Sequence, residues 1–396
     1  MSQQPIARSP DLQRLRNEGY DISIVGAYLV MRGIPYLNER REVSRGVLIS
    51  ALELVNDIAV QPTDHTTYFD GAKPYHDDGR AIDEIIHSAS GVAIGKGITG
   101  RFYLSAKPQP KLRYDNYYHK MATYAEIIGR PTRAADPEAT AQTFALVAEE
   151  DEESVFNYME TASARADITE VADKLRGQRI AIVGLGGTGS YVLDYVVKTH
   201  AGEVHAIDGD KFLQHNAFRS PGAASGEELE EQMYKVDYLH RKYKAMRKGI
   251  IPHPVYLSRE NLHLLKGMDF VFLTMEGGSK RPVIEFLEQE SIPFIDVGMG
   301  LYLANGMLGG LLRTTFSTAS MRRHVHERGR IPFGDADGRN EYDKNIQIVE
   351  LNALNAALAV IRWKKHFGYY LDQEHEHHSV YSIGGNELTN DDGDDD

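Results

Sequence analysis

The chain has 396 residues, with 44 Lys and Arg against 57 Asp and Glu and no cysteine. That length exceeds the usual single core and sets an expectation of about two domains. The net charge of −13 argues against binding nucleic acid through its phosphates, and the missing thiols exclude disulfides, Cys-based zinc sites and any thioester on this chain.

No apolar run approaches the roughly 18 residues of a membrane span. Met1-Ser-Gln-Gln-Pro has neither a basic start nor an apolar stretch, so a soluble, cytoplasmic protein without a secretory leader is expected. Ser9-Pro-Asp-Leu-Gln-Arg-Leu-Arg reads as a capped helix start, and Ile22–Val25, Tyr28–Met31 and Val47–Leu54 read as short strands. Helix followed by sheet predicts a small α+β domain over residues 1–128. Tyr68, Tyr75, Tyr114, Tyr117 and Tyr118 are expected at its core margin with their hydroxyls in water, the alternative being a peptide-binding surface. Residues 129–153 mix proline, alanine and an acidic run and read as a linker.

Beyond it the pattern changes. Ile180–Val183 is a short apolar run, Gly184, Gly186, Gly187 and Gly189 follow, and apolar residues at helical spacing continue from Tyr191. Strand, glycine turn and helix make a phosphate cradle, because glycine lets the backbone approach an anion and the first helical turn points free amides at it. A second strand, Glu203–Ile207, ends at Asp208 and Asp210, which puts a carboxylate where a ribose would lie. Asn216, Arg219 and Lys235 come next. Arg and Lys suit β and γ phosphates and a leaving pyrophosphate, while Asn suits the α phosphate where charge shifts during attack.

On these motifs, residues 171–310 resemble the ThiF/MoeB-type adenylyltransferases, the family that includes ubiquitin-activating enzymes. Gly184, Gly186, Gly187 and Gly189 fit the double-glycine loop, Asp208 and Asp210 the Asp-x-Asp, Asn216 and Arg219 the Asn-x-x-Arg, and Lys235 the lysine of the next helix. The resemblance implies an α/β fold: a Rossmann-like adenylation domain with a mainly parallel sheet over 154–389, preceded by the smaller α+β domain. It implies ATP at the glycine loop with Asp208 on the ribose, and Asn216, Arg219 and Lys235 around the phosphates. Glu276 stands where the family carries an aspartate for Mg2+, and Arg165 is the candidate for an arginine reaching across a homodimer. The implied substrate is the C-terminal carboxylate of a ubiquitin-like protein, whose tail the glycine-rich segment Asp296–Gly300 and its following loops would admit. With no cysteine in the chain, the acceptor thiol would belong to a separate protein.

Residues 1–128 resemble, more distantly, a domain that precedes ThiF modules in bacterial ubiquitin-like conjugation systems, and the helix-then-sheet layout is similar to that of conjugating domains. They hold no cysteine and no His-Pro-Asn triplet, so they are read as a recruitment domain or a degenerate relative. An antiphage setting is implied by the resemblance only. Two alternatives stay open: an NAD-dependent oxidoreductase, which shares the loop and Asp208, and a scaffold that binds ATP or a ubiquitin-like protein without turnover.

Toward the C-terminus, Asn345–Phe367 is predicted to be a helix with Ile348, Leu351, Leu354, Leu358 and Ile361 on its core face. Residues 321–326 read as an exposed basic helix, 335–338 as a surface turn, 374–378 as a solvated histidine-rich edge rather than a metal site, and 390–396 as a disordered acidic tail.

Overall fold

The computed structural model describes residues 4–391 apart from 111, 148, 150, 167, 276–279 and 334–345. The chain divides into two compact units, residues 1–153 with 158–167, and residues 154–157 with 168–396.

The first unit has helix α1 (Pro10–Asn17), strands β1 (Asp21–Val25), β2 (Tyr28–Leu37), β3 (Val43–Ala51), β4 (Thr66–Asp70), β5 (Ile86–Gly95) and β6 (Ile98–Ser105), and helix α2 (Tyr117–Gly129). The strands form one antiparallel sheet in the order β1-β2-β3-β4-β6-β5. Its apolar face, with Leu29, Met31, Leu48 and Phe69, is covered by Leu12 and Leu15 of α1 and by Tyr117, Met121, Tyr124 and Ile128 of α2. Asn116 caps α2 by accepting from the His119 amide at 2.8 Å. Ser9 does not cap α1; its hydroxyl accepts from the Ala59 amide at 2.8 Å instead. Tyr114 and Tyr117 correct the expectation of wet hydroxyls. Both are fully buried, and their hydroxyls bond to the Ala106 carbonyl and the Glu53 amide, each at 2.9 Å.

After a short helix, Thr169–Ala172, the second unit has β7 (Arg179–Val183), α3 (Gly187–Val196), β8 (Glu203–Ile207), α4 (Lys235–Tyr243), β9 (Ile250–His253), β10 (Phe270–Leu273) and α5 (Lys280–Gln289). A long hairpin, β11 (Phe294–Ala304) and β12 (Met307–Ser317), then α6 (Arg323–Glu327), α7 (Val349–His366), β13 (His378–Ser382) and β14 (Glu387–Asp391) complete it. The sheet order is β9-β8-β7-β10-β11-β12-β13-β14. Pairings from β9 to β11 are parallel and those beyond are antiparallel. Ile180, Ala181, Ile182 and Val183 are all buried, the near-continuous apolar run that helices on both faces demand of a parallel strand. The strand order reverses at β7, so its carboxyl end opens a crevice between the connections to β8 and β10.

Helix α7 corrects the predicted core face. Its buried side includes Asn352, Asn355, Ala356, Ala359 and Trp363, while Ile361 is exposed. Small and amide side chains let α7 approach α3 so closely that a Cβ on Gly187 would lie 2.1 Å from the Asn352 amide nitrogen, and Trp363 fills the far end against Phe272. Spacing marked the apolar residues, and Ile348, Leu351, Leu354 and Leu358 are half-buried; the partner helix took the adjacent face of α7.

Other details depart from the sequence reading. Asp296–Gly300 lies within β11 rather than before a loop. Within 321–326, His324 and Val325 are buried. His377 stacks on Phe316 and the His378 ring lies 3.0 Å from the Thr315 hydroxyl, and no metal-binding group of side chains occurs among the described residues. Asn390 and Asp391, where the acidic tail was expected to begin, pair with Ser379 and His378 in β14. Residues 392–396 and 335–338 lie outside the described residues. Among those described, no helix is long and apolar enough to cross a membrane.

Candidate functional site

The carboxyl ends of three adjacent strands stand level: Val183 of β7 is in register with Ile207 of β8 and with Leu273 of β10. The chain leaves β7 through Gly184, whose φ of +89° disfavours any side chain, and a Cβ there would lie 2.9 Å from the Met275 amide nitrogen. At Gly189 a Cβ would lie 1.9 Å from the Gly184 carbonyl oxygen, so the turn closes only with glycine. Gly186 faces open space. The first turn of α3 therefore starts at the crevice with its amides directed into it.

Asp208, at the end of β8, fixes this loop. One carboxylate oxygen accepts from the Leu185 amide at 2.6 Å and the other from the Asp210 amide at 2.8 Å. Lys235 begins α4; its ammonium lies 2.6 Å from Asp210 and 3.5 Å from Asp208. The Tyr256 hydroxyl donates to the other Asp210 oxygen at 2.5 Å. Burial opposes ionisation of Asp210, but the hydrogen bonds from Lys235 and Tyr256 and the charges of Lys235 and Arg219 prevail and hold its carboxyl below the ordinary range.

Asn216 belongs to a short helix, Gln214–Ala217, and its side-chain oxygen accepts from the Leu213 amide at 2.8 Å. That cap sets the turn that delivers Arg219 to the crevice. Asn216 is 1% exposed and its side-chain nitrogen has no partner. Arg219 lines the crevice with its Nε unpaired. His215 senses the local field: desolvation, then the charges of Arg219 and Lys235, push its imidazole below the usual range.

Gly184, Gly186, Gly187, Asp208, Asp210, Arg219 and Lys235 thus line one cavity of about 320 Å3, with Thr188, Tyr256, Thr274 and Gln347 completing much of the wall. Gly189 and Asn216 stand behind it and shape it. Arg165 is exposed at the end of a short helix, Ala162–Arg165, in the first unit. Glu276 lies outside the described residues.

Sequence reasoning missed Tyr256, 46 positions from Asp210 and joined to it only by folding. It also missed Asn352, whose oxygen lies 3.0 Å from the Thr188 hydroxyl of the glycine loop. Neither belongs to a local motif.

Comparison with known families gives a match to the ThiF family over residues 161–313, the stretch that carries this cavity's glycines, aspartates, Arg219 and Lys235. That stretch is a ThiF-family domain. Residues 10–161 match a domain of unknown function, DUF6791, and none of the curated proteins matches. Solved structures similar to the chain include PaaA, 16% identical with a TM-score of 0.44 over 56% of this chain and 75% of PaaA. Escherichia coli MccB with MccA-N7isoASN is 16% identical with a TM-score of 0.47 over 56% of this chain and 66% of MccB. E. coli MccB with ATP has the same identity and a TM-score of 0.44, over 56% and 65%. The ThiF-family domain here holds its Asp-x-Asp, Arg219 and Lys235 around a single opening at the end of β7.

Proposed function

We propose that the ThiF-family domain adenylates a terminal carboxylate of a peptide or protein, using ATP and releasing pyrophosphate. The observation that carries this reading is the convergence of the glycine-loop amides, Arg219 with an unpaired Nε, and Lys235 on one cavity. Such a set suits a triphosphate: loop amides accept its oxygens, and two cations offset charge that builds on the departing pyrophosphate. The attacking carboxylate is ionised at neutral pH and needs no base. An oxidoreductase would leave Arg219 without a task.

In finer form, the substrate is the C-terminal tail of a ubiquitin-like protein, and the activated acyl group passes to a thiol on a separate protein, because this chain has none. Asn216 serves the α phosphate and Asp208 the ribose. A homodimer, with Arg165 reaching across it, belongs to the same proposal, as does recruitment by the first unit in a cytoplasmic setting. The glycine cradle fits a nucleotide. For Mg2+, Glu276 lies outside the described residues, and Asp208 and Asp210 are held by backbone amides and Lys235; no step is routed through the metal.

The test is ATP–pyrophosphate exchange with candidate ubiquitin-like proteins and peptides, comparing the parent with Arg219→Ala and Asp208→Ala. Exchange that requires a free C-terminus and disappears in both variants supports adenylation. ATP binding without exchange for any partner supports the scaffold reading instead.

A further inference from the structure

Three buried lysines differ in how their charge is met. Lys235 and Lys280 each lie within 2.7 Å of a carboxylate. Lys120, on α2 in the first unit, is 1% exposed and donates at 2.8 Å to a backbone carbonyl, that of Asp64. Among the described residues, no carboxylate stands within ion-pair distance of it. Its ammonium has three donors and one neutral acceptor, with the Tyr117 ring 5.9 Å away and the charges of Asp64 and Glu53 in range but not bonded to it.

Asp64 forms part of the wall of a cavity of about 170 Å3, with His65, Lys107, Arg113 and Tyr114. Lys107 and Arg113 are exposed there and form no ion pair among the described residues. The carboxylate of Asp64 forms no ion pair with either among the described residues: its two oxygens accept from the amide and the hydroxyl of Thr66, and one lies 3.7 Å from the His65 ring. Glu53, the other acid in electrostatic range of Lys120, accepts from the Thr63 amide and hydroxyl. The walls are fixed by the core. The Tyr124 hydroxyl donates to the His65 carbonyl at 2.6 Å and the Gln61 amide to the Tyr114 carbonyl at 2.9 Å.

We propose that this cavity binds a small oxyanion, a carboxylate or phosphate group, held by Arg113 and Lys107 of its wall, with Lys120, bonded to the carbonyl of the wall residue Asp64, adding positive charge from the core. Arg113 offers a planar fork for two oxygens and Lys107 a mobile point charge. The site is independent of the adenylation reading, since it uses only the first unit. Burial, opposed by Asp64 and Glu53, pushes Lys120 down to about 8, so at neutral pH the lysine remains charged. A bound anion raises it.

The experiment titrates the full chain with inorganic phosphate and, separately, acetate, following binding by calorimetry and the Lys120 titration by NMR of lysine labelled at Cε. Both use an Arg219→Ala background to weaken anion binding at the other cavity. Surface variants Lys107→Ala and Arg113→Ala, which leave the core untouched, give the decisive comparison. The expected result is a binding event about 10-fold weaker in each variant, with a Lys120 titration that rises on saturation in the background protein. Response to phosphate alone assigns a phosphate site, and response to acetate a carboxylate site. Absence of any event sensitive to Lys107 or Arg113, for both anions, overturns the proposal.

Discussion

The Lys235 ammonium lies between two aspartates of the same motif, 2.6 Å from Asp210 and 3.5 Å from Asp208. The cation proposed to meet phosphate is therefore also part of what holds the crevice together. Lys235→Met should destabilise the second unit by about 2–3 kcal/mol, below the full figure for a broken buried pair because Asp210 is half exposed. The pH dependence has a definite sign. A carboxyl held below its ordinary value in the fold stabilises above its unfolded pKa and loses that contribution as pH falls through the folded value. The gap between parent and variant in chemical denaturation should shrink as the pH drops below the ordinary aspartate range.

Gly186 and Gly189 separate binding from folding. A methyl on Gly186 meets nothing within 4 Å of the protein, whereas on Gly189 it meets the Gly184 carbonyl oxygen at 1.9 Å. Gly186→Ala should leave the melting temperature within about 2 °C of the parent and weaken nucleotide binding, because the added group projects where the loop approaches its ligand. Gly189→Ala should lower both, as the turn itself must open. Thermal melts and nucleotide titrations on the two variants decide this.

Arg247 is 1% exposed and, among the described residues, has no carboxylate partner. Its guanidinium donates to the carbonyls of Val197, Thr199, Ala201, Gly202 and Lys248, gathering the turn between α3 and β8. Arg247→Met leaves these acceptors unsatisfied and should cost about 4 kcal/mol or more in chemical denaturation. Arg247→Lys should restore little, since an ammonium cannot reach so many acceptors from one fork.

His324 makes the C-terminal sheet sensitive to acid. Burial, reinforced by Arg330 and His377, pushes its imidazole down to about 4, and its Nδ1 lies 3.0 Å from the Arg330 guanidinium. The folded state excludes a proton that the unfolded chain takes up near pH 6.5, so stability is complete above that value and falls as the pH drops toward 4. The loss is on the order of 2–3 kcal/mol. His324→Gln, which keeps an acceptor for Arg330, should flatten that part of the stability–pH curve; His378, also pushed to about 4, retains a similar share.

Much of the site was legible because its motifs are local. Gly184 to Gly189 combine a strand, a tight turn and a helix start within a few residues, and Asp208 follows at the end of the next strand, so chain order alone implied a crevice for phosphate. Lys235 begins its helix, as the motif required. The tertiary structure decided what those groups touch. Asp208 spends both oxygens on backbone amides, Asn216 caps the turn carrying Arg219, and Tyr256 closes on Asp210 from 46 residues away.

The C-terminal helix marks the boundary most clearly. Its 3.6-residue periodicity showed that Ile348 to Ile361 could form a stripe, but burial depends on the surface a helix meets. The close crossing on α3 at Gly187 selected Asn352, Asn355, Ala356 and Ala359. The first unit shows the same division. Helix and strands were readable from pattern, while the cavity bounded by Asp64, Lys107 and Arg113 exists only because the chain before β4 and the chain after β6 converge, with Lys120 of α2 bonded to the Asp64 carbonyl. Sequence by itself determined which chemistry this protein has at hand, through composition and local motifs. Folding decided which charges are paired and which face an opening, because pairing is set by distances between residues far apart in the chain.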